Sequence, residues 1–438
     1  MLNCKVLTGL RGGARRSLWS SVKPVASDPI LGLVAQFKED TFPNKVNLAQ
    51  GAYRTEDGTP LLLEAVRDAE ARVVARKESK EYLGIEGLPA FVEAAAAFAL
   101  GKDSPALGAR RVASLQTLSG TGALRVCGET LAAIGNVTEI HLPAPSWGNH
   151  AKIFAAAGLE VREYPYLDDV GTALDFGAMV DGLEALDAGS VVLLHAAAHN
   201  PSGVDPDRGQ WASLAELFAK KRLVALFDTA YQGFASGDCD ADAFGVRAFE
   251  AAGLEPILCQ SFAKNMGLYG ERVGAVHFVC GTSDEAAALL GSVKQRVVRP
   301  AYSSPPRHGA AVAAEVLTDP ALDAAWRSEL GDMARRIARV RADLRAALEA
   351  LGADAPGSGG WAHITAQIGM FAFTGLGRDQ VRSLRAVERV YLTDDGRASL
   401  AGLAARDVAY VAAAIKRATD EVPYPDSMDA PLAAASLP

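Results

Sequence analysis

No stretch of this sequence stays apolar for the roughly 20 residues that a membrane-spanning helix needs, which excludes a helical span. Its five cysteines, at positions 4, 127, 239, 259 and 280, form no CxxC pair and no short-domain framework. They read as the reduced thiols of an intracellular compartment. An excess of positive charge is missing too: the formal net charge is −8 and the pI about 5.5. That balance argues against nucleic acid or an anionic membrane surface as the main partner. No internal repeat is visible. Acidic residues are absent from positions 1–27, where Lys5, Arg11, Arg15, Arg16 and Lys23 alternate with Ser, Leu and Trp19. Such a composition predicts an organelle transit peptide, with the mitochondrial matrix as destination and plastid or cytoplasm as alternatives. Without those five charges the chain holds 39 basic against 52 acidic residues, a balance of −13. What is present, 438 residues that are 49% hydrophobic and 22% charged, suffices for two domains with a sizeable core.

The chain is organised around Cys259–Gly274, CQSFAKNMGLYGERVG. A strand-like run, Ile257-Leu258, delivers Ser261, then Lys264, then Arg272 eight residues later. That order suits a pyridoxal phosphate site. The aldehyde of this cofactor needs one amine, and its phosphate needs fixed hydrogen-bond donors with a positive charge nearby. Lys264 is the candidate amine; Ser261 and Arg272 are the candidate phosphate ligands.

Other stretches carry compatible chemistry. Ser119-Gly120-Thr121-Gly122 lies between the strand-like Ala113–Leu118 and a helical pattern over 124–134, so a helix N-terminus can meet an anion there. Its spacing is not that of a Walker loop. Val191–Leu194 reads as a buried strand feeding His195-Ala196-Ala197-Ala198-His199-Asn200-Pro201. The two histidines lie four apart, but a β-branched run before them and Asn-Pro-Ser-Gly after them indicate a turn, so no metal site is expected. Leu223–Phe227 is another buried-strand pattern that ends at Asp228, followed by Tyr231. An acid at the carboxyl end of a parallel strand is placed to meet a ligand.

Cys259–Gly274 resembles the lysine segment of class I aminotransferases, the aspartate aminotransferase family, and the resemblance runs from about Asp28 to Val422. It implies the α/β architecture of fold type I pyridoxal phosphate enzymes. A large domain would hold a mainly parallel seven-stranded sheet flanked by helices, beside a smaller α+β domain. The strand-helix alternation over 110–280 independently suggests the parallel sheet. The expected division is 28–60 for an amino-terminal arm and part of the small domain, 61–331 for the large domain and 332–422 for the rest of the small domain. A disordered Pro/Ala/Ser tail is expected over 423–438.

The resemblance also implies roles for individual residues. Lys264 would bind the cofactor and carry the substrate's proton, and Asp228 would keep the pyridine nitrogen protonated. Asn200 and Tyr231 would donate to the phenolate oxygen, and Trp147 would stack on the ring. His150, and His195 if it is not simply core, would stand behind Asp228. Ser119, Gly120, Thr121, Ser261 and Arg272 would hold the phosphate, with Tyr82 reaching in from a second subunit. Gly51 would approach the substrate, Arg397 would bind its α-carboxylate, and Arg299 of the neighbouring subunit its side-chain carboxylate. The implied substrates are L-aspartate with 2-oxoglutarate and L-glutamate with oxaloacetate, handled by a homodimer with shared active sites.

Three places depart from the family pattern. Ala49-Gln50 replaces a Gly-Val, which puts a polar side chain where an apolar one lines the pocket. Asp394-Asp395 stands where a neutral residue is usual, and two acids there weaken carboxylate binding unless they face solvent. Ala398-Ser399 replaces an aliphatic-Asn pair. Two other readings therefore stay open: a sister aminotransferase for aromatic amino acids, and a catalytically weak relative kept as an assembly subunit.

Overall fold

The computed structural model describes residues 17–25 and 28–424. The expected transit peptide and carboxyl-terminal tail lie outside the described residues, apart from 17–25 and 423–424. The strands, in chain order, are β1 Val46–Asn47, β2 Val112–Leu118, β3 Glu139–Ala144, β4 Glu160–Pro165, β5 Val191–His195 and β6 Val224–Thr229, then β7 Ile257–Ser261, β8 Val273–Val279, β9 Phe371–Phe373, β10 Val390–Tyr391 and β11 Arg397–Ser399.

Seven strands form one sheet in the order β2-β8-β7-β6-β5-β3-β4. Only β8 runs against its neighbours. Helical crossovers impose parallel pairing, and parallel strands covered on both faces read as unbroken apolar runs rather than alternating ones. Accordingly β5, β7 and β8 are buried at every position. Successive side chains still point to opposite faces. Leu193, Leu226 and Ile257 pack with Leu124, Cys127 and Leu131 of the helix Ser119–Ala133. Leu194, Phe227 and Leu258 pack on the other side with Trp211, Leu214 and Phe218 of the helix Arg208–Lys221.

Two small sheets stand apart, β1 with β10 in parallel and β9 with β11 antiparallel. They share a separate apolar cluster with the helices Arg378–Val387 and Val408–Glu421. The 31-residue helix Pro320–Ala350 joins the two bodies of the fold. Its Trp326 and Leu330 belong to a core beneath the large sheet, whereas Val340, Leu344 and Leu348 belong to the small one.

Local structure departs from the sequence pattern at the Gly-rich turn, where the helix expected from Leu124 begins at Ser119, so the Gly-rich residues are its first turn. After β8, the helix Ser283–Val293 passes into a π turn over Lys294–Val298 before Arg299. The long helix starts at Pro320, where Asp319 caps it by accepting from the amides of Ala321 and Leu322. Gly369 takes a φ of +77°, which delays extended pairing until Phe371.

Candidate active site

The candidate residues cluster at one end of the seven-stranded sheet, where its parallel strands terminate. Ser119 follows β2, Trp147 follows β3, Asn200 follows β5, Asp228 is the penultimate residue of β6, and Lys264 follows β7. The antiparallel β8 starts at that same end, immediately after Arg272, because Ser261 of β7 pairs with Gly274. Ligands collect there in open α/β sheets, since strand ends and helix N-termini converge.

An anion cradle is assembled from three of these loops. The helix Ser119–Ala133 has no side-chain cap, so its first-turn amides are free and its positive dipole end is open. Ser119 Oγ and Ser261 Oγ lie 3.3 Å apart, with Gly120 and Thr121 in the same helical turn. Arg272 is exposed and donates through Nη1 to the carbonyl of Tyr269 at 2.9 Å. Ser119 and Arg272 both take left-handed φ values, 66° and 56°. Each costs a non-glycine residue on the order of 1–2 kcal/mol, and such strain concentrates at binding sites.

Behind the cradle, Lys264 points its Nζ over the ring of Tyr231, 5.1 Å from the centroid. Burial, aided by the charges of Arg272 and Arg397, depresses the pKa of its amine, although Asp228 pulls it the other way. A larger share of this lysine is thus a neutral nucleophile and base than an exposed lysine would offer. Asp228 has 11% of its side chain exposed. Burial works to raise its pKa, but the hydrogen bond from His150 and the nearby charge of Lys264 outweigh this and hold it below the ordinary carboxylate value. It therefore stays ionised. The Tyr231 hydroxyl, buried and near Asp228, is pushed well above its usual pKa and remains a donor.

Hydrogen bonds fix the two imidazoles behind Asp228. The carboxylate accepts from His150 Nε2 at 3.0 Å, and His150 Nδ1 is hydrogen-bonded to Ser146 Oγ at 2.8 Å. His195 Nδ1 accepts from the Asn200 amide at 3.0 Å, so its ring proton sits on Nε2. Burial pulls the His195 pKa down to about 3, which keeps the ring neutral. His150, His195 and Asp228 present ligand atoms within 4.8 Å of one another, a spacing that a metal ion can bridge. His150 and Asp228 are joined directly by their 3.0 Å hydrogen bond. His195 and His199 lie in the core with their rings 4.4 Å apart and tilted. Trp147 is half-buried and meets His150 edge-on, with centroids 5.2 Å apart.

The other wall comes from the small sheets. Arg397, the first residue of β11, is 4% exposed, donates through Nη1 to Asn200 Oδ1 at 3.2 Å and through Nη2 to the Ala49 carbonyl at 3.1 Å. Phe371 lies under its guanidinium at 4.3 Å. Its Nε has no hydrogen-bond partner among the described residues. Gly51 sits against Phe371, where a Cβ would stand 2.7 Å from the ring, so no larger residue fits. The acids beside Arg397 make no hydrogen bond to its guanidinium. Asp394 pairs with Arg385 at 2.8 Å, and exposed Asp395 caps the turn by accepting from Thr393 Oγ1 and the Arg397 amide. Gln50 is exposed and accepts from Arg54 at 3.4 Å, on the rim of a cleft of about 310 Å³ that reaches Lys264.

Two expected residues do not join this group within one chain. Tyr82 is 89% exposed, and Arg299 is exposed with its guanidinium bonded to Ser303. Some participants escaped the sequence pattern. Tyr269 accepts the Tyr53 amide at 3.1 Å, which ties the lysine segment to the turn beyond Gly51. Asp205 holds two amides of the loop before Asn200. Arg341, buried without a carboxylate, donates to the carbonyls of Ile364, Gly369 and Phe371. Only the buried acids and arginines, unreadable as buried from one sequence, would have signalled them.

Comparison with known proteins agrees with this geometry. The family model "Aminotransferase class I and II" matches residues 43–415. A cytoplasmic aspartate aminotransferase of Oryza sativa subsp. japonica is 47% identical over 93% of this chain and 100% of its own. A mitochondrial aspartate aminotransferase of Xenopus tropicalis is 45% identical over 93% of this chain and 94% of its own. Among solved structures, an aromatic-amino-acid aminotransferase from Burkholderia pseudomallei, covalently bound to pyridoxal phosphate, superposes with a TM-score of 0.88. It is 42% identical and covers 92% of this chain and 99% of its own. Matched by the family model over most of its length, and by relatives well above 30% identity, the chain belongs to the class I and II aminotransferases.

Proposed function

We propose that this protein is a pyridoxal phosphate-dependent aminotransferase that moves an amino group reversibly between L-aspartate and 2-oxoglutarate, giving oxaloacetate and L-glutamate. We further propose a homodimer with shared active sites. One observation carries the reading of an amino acid or keto acid as substrate, the buried Arg397 guanidinium with an unpartnered Nε beside Asn200 and Phe371, while Arg299 is the residue on which the choice of a dicarboxylate rests. A buried guanidinium without an anion costs several kcal/mol, and a substrate carboxylate offsets that cost. The residues also fit the cofactor, through uncapped helix amides beside two serines, a buried amine of depressed pKa and a carboxylate held ionised by His150.

When bound, the cofactor supplies an electron sink for the carbanion left as the substrate Cα loses its proton. Lys264 would be the amine that holds the cofactor's aldehyde and, when free, the base for the Cα proton. Asp228 would keep the ring nitrogen protonated. Asn200 and Tyr231 would donate to the phenolate oxygen, and Trp147 would pack on the ring. Ser119, Gly120, Thr121, Ser261 and Arg272 would hold the phosphate. His150 and His195 orient Asp228. Arg397 grips the α-carboxylate near Gly51. Tyr82 and Arg299, both exposed here, serve the site of a second copy, at the phosphate and at the side-chain carboxylate. Residues 61–331 form the large domain, with 28–60 and 332–422 as the small one.

Single-turnover absorbance of the loaded enzyme tests the substrate assignment. Aspartate is expected to react with a kcat/KM at least ~10²-fold above that of phenylalanine, because a site built for a buried polar group rejects analogues that lack it. Arg299→Leu should lower the aspartate value by ~10²–10³-fold, the cost of truncating one partner of a bidentate charge pair. Phenylalanine should change less than ~3-fold, since it offers Arg299 nothing. The polar rim at Gln50 and the Burkholderia relative favour the aromatic alternative, which a preference for phenylalanine would establish. A loaded enzyme inert to both amino acids would instead indicate the assembly subunit.

We also place the protein in the mitochondrial matrix, on the strength of the acid-free basic stretch at 1–27. A fluorescent reporter carrying residues 1–27 should accumulate in isolated mitochondria and lose that uptake when the membrane potential is collapsed. Uptake by chloroplasts alone, or by neither organelle, would refute the placement.

A further inference from the structure

We propose that Asp205 is a positioning residue that sets how strongly Asn200 donates to the cofactor's ring oxygen. The proposal rests on the assignment of this pocket as a pyridoxal phosphate site. Asp205 touches neither cofactor ligands nor substrate ligands by side chain. Its Oδ2 accepts from the Ala198 amide at 2.6 Å and its Oδ1 from the His199 amide at 2.8 Å. One carboxylate thus grips two successive amides immediately before Asn200. For both amides to face it, Ala198 adopts a φ of 51°, a left-handed geometry that is strained for a residue with a Cβ. Consecutive amides turned inward by such a residue form an anion-binding concavity, and Asp205 is the anion that fills it.

The remainder of the loop is braced, which directs any slackening at Ala198 toward Asn200. His195 Nδ1 accepts the Asn200 amide at 3.0 Å, and the Gly203 amide donates to the His199 carbonyl at 2.6 Å. Beyond the turn, the Ile368 amide donates to the Gly203 carbonyl at 2.8 Å, which fastens the loop to the segment that carries Phe371. The Asn200 side chain spends its Oδ1 on Arg397, so its amide hydrogens remain for a ligand. Asn200 therefore stands between the ring oxygen and the substrate arginine. Asp205 holds the backbone that aims it.

Asp205→Asn tests this. The amide keeps the size of the carboxylate but has one acceptor oxygen, so its NH₂ faces one of the two backbone N–H groups and that bond is lost. Asn200 then moves off the ring oxygen, which becomes more basic. The bound cofactor's visible absorbance should titrate with pH about 0.5–1 unit higher than in the parent, as expected when a hydrogen bond to the ionised form weakens. The aspartate KM should rise about 3–10-fold through Arg397 while the melting temperature of the holoenzyme moves only a few degrees. Ala198→Gly added to Asp205→Asn should restore about half of the titration shift, because glycine takes the left-handed φ without help. Asp205→Glu keeps two acceptors one methylene further out and should shift the titration in the same direction by less, should the asparagine variant not fold. Either folded variant binding the cofactor with the parent's titration would overturn the proposal. A parent enzyme that binds no pyridoxal phosphate would instead overturn the cofactor assignment beneath it.

Discussion

Lys264→Ala is expected to abolish amino transfer, with kcat/KM for aspartate lower by at least ~10⁴-fold, since in the proposed mechanism one side chain supplies both a covalent attachment and the proton carrier. The loss should be chemical rather than structural. The pocket around Lys264 is lined by residues held by other contacts, such as the bond between the Tyr53 amide and Tyr269. The variant should therefore fold, bind pyridoxal phosphate through the cradle of Ser119, Ser261 and Arg272, and show the absorbance of the free aldehyde. Methylamine in the buffer should restore part of the rate, because a small amine can enter the space left by the side chain and accept the Cα proton. Unchanged amino transfer by the purified variant would remove Lys264 from the mechanism. If the rate falls but cofactor absorbance equals the parent's at every pH, the lysine is a base without being the attachment point.

Asp228→Ala should cost ~10³-fold in kcat, at the upper end of what one preorganised electrostatic group contributes. Two losses combine. The ring nitrogen loses the anion that keeps it protonated, and His150 Nε2 loses its 3.0 Å acceptor. Asp228→Glu retains the charge on a longer arm and should recover ~10-fold or more of the alanine deficit, whereas Asp228→Asn should recover little, since an amide cannot stabilise a protonated ring by charge. Isotope-labelled substrate reads the step directly: slowed exchange of the Cα proton with solvent should account for the whole loss. Exchange at the parental rate with slow product release would move Asp228 out of the proton-transfer step.

Much of this site could be read from the sequence because it follows strand ends. Apolar runs that stop at Ser119, Asp228 and Ser261 announce where a parallel sheet presents its carboxyl edge, and the spacing of Ser261, Lys264 and Arg272 announces the ligand. The acids at 394 and 395 were the opposite case. Neighbours in sequence suggest neighbours in charge, yet the turn between β10 and β11 sends Asp394 to Arg385 and Asp395 to the backbone. Gln50, read as a pocket residue, lies exposed on the rim of the cleft with its oxygen on Arg54. Asp205, Tyr269 and Arg341 were not legible. Their partners are backbone amides and carbonyls, which every residue possesses, so nothing in the side-chain pattern marks which ones will be met. The π turn at Lys294–Val298 is hidden for a related reason: its residues are ordinary helix formers, and only packing selects the wider turn.

The pairing of β1 with β10 has a consequence for how the chain comes into being. Val46 lies opposite Val390 and Asn47 opposite Tyr391, in parallel register, and Leu48 shares a core with Leu392. A ribosome makes the two partners of this sheet more than three hundred residues apart. The strands that bear Asn200, Asp228 and Lys264 can all have paired by then, since domains form as units during synthesis. The earliest strand to emerge is thus among the last to be satisfied. Throughout elongation its apolar side chains have no native neighbour, and a nascent chain already able to close its cofactor cradle still lacks the strand that carries Arg397. Competence to hold the cofactor precedes, in the order of translation, competence to recognise a substrate.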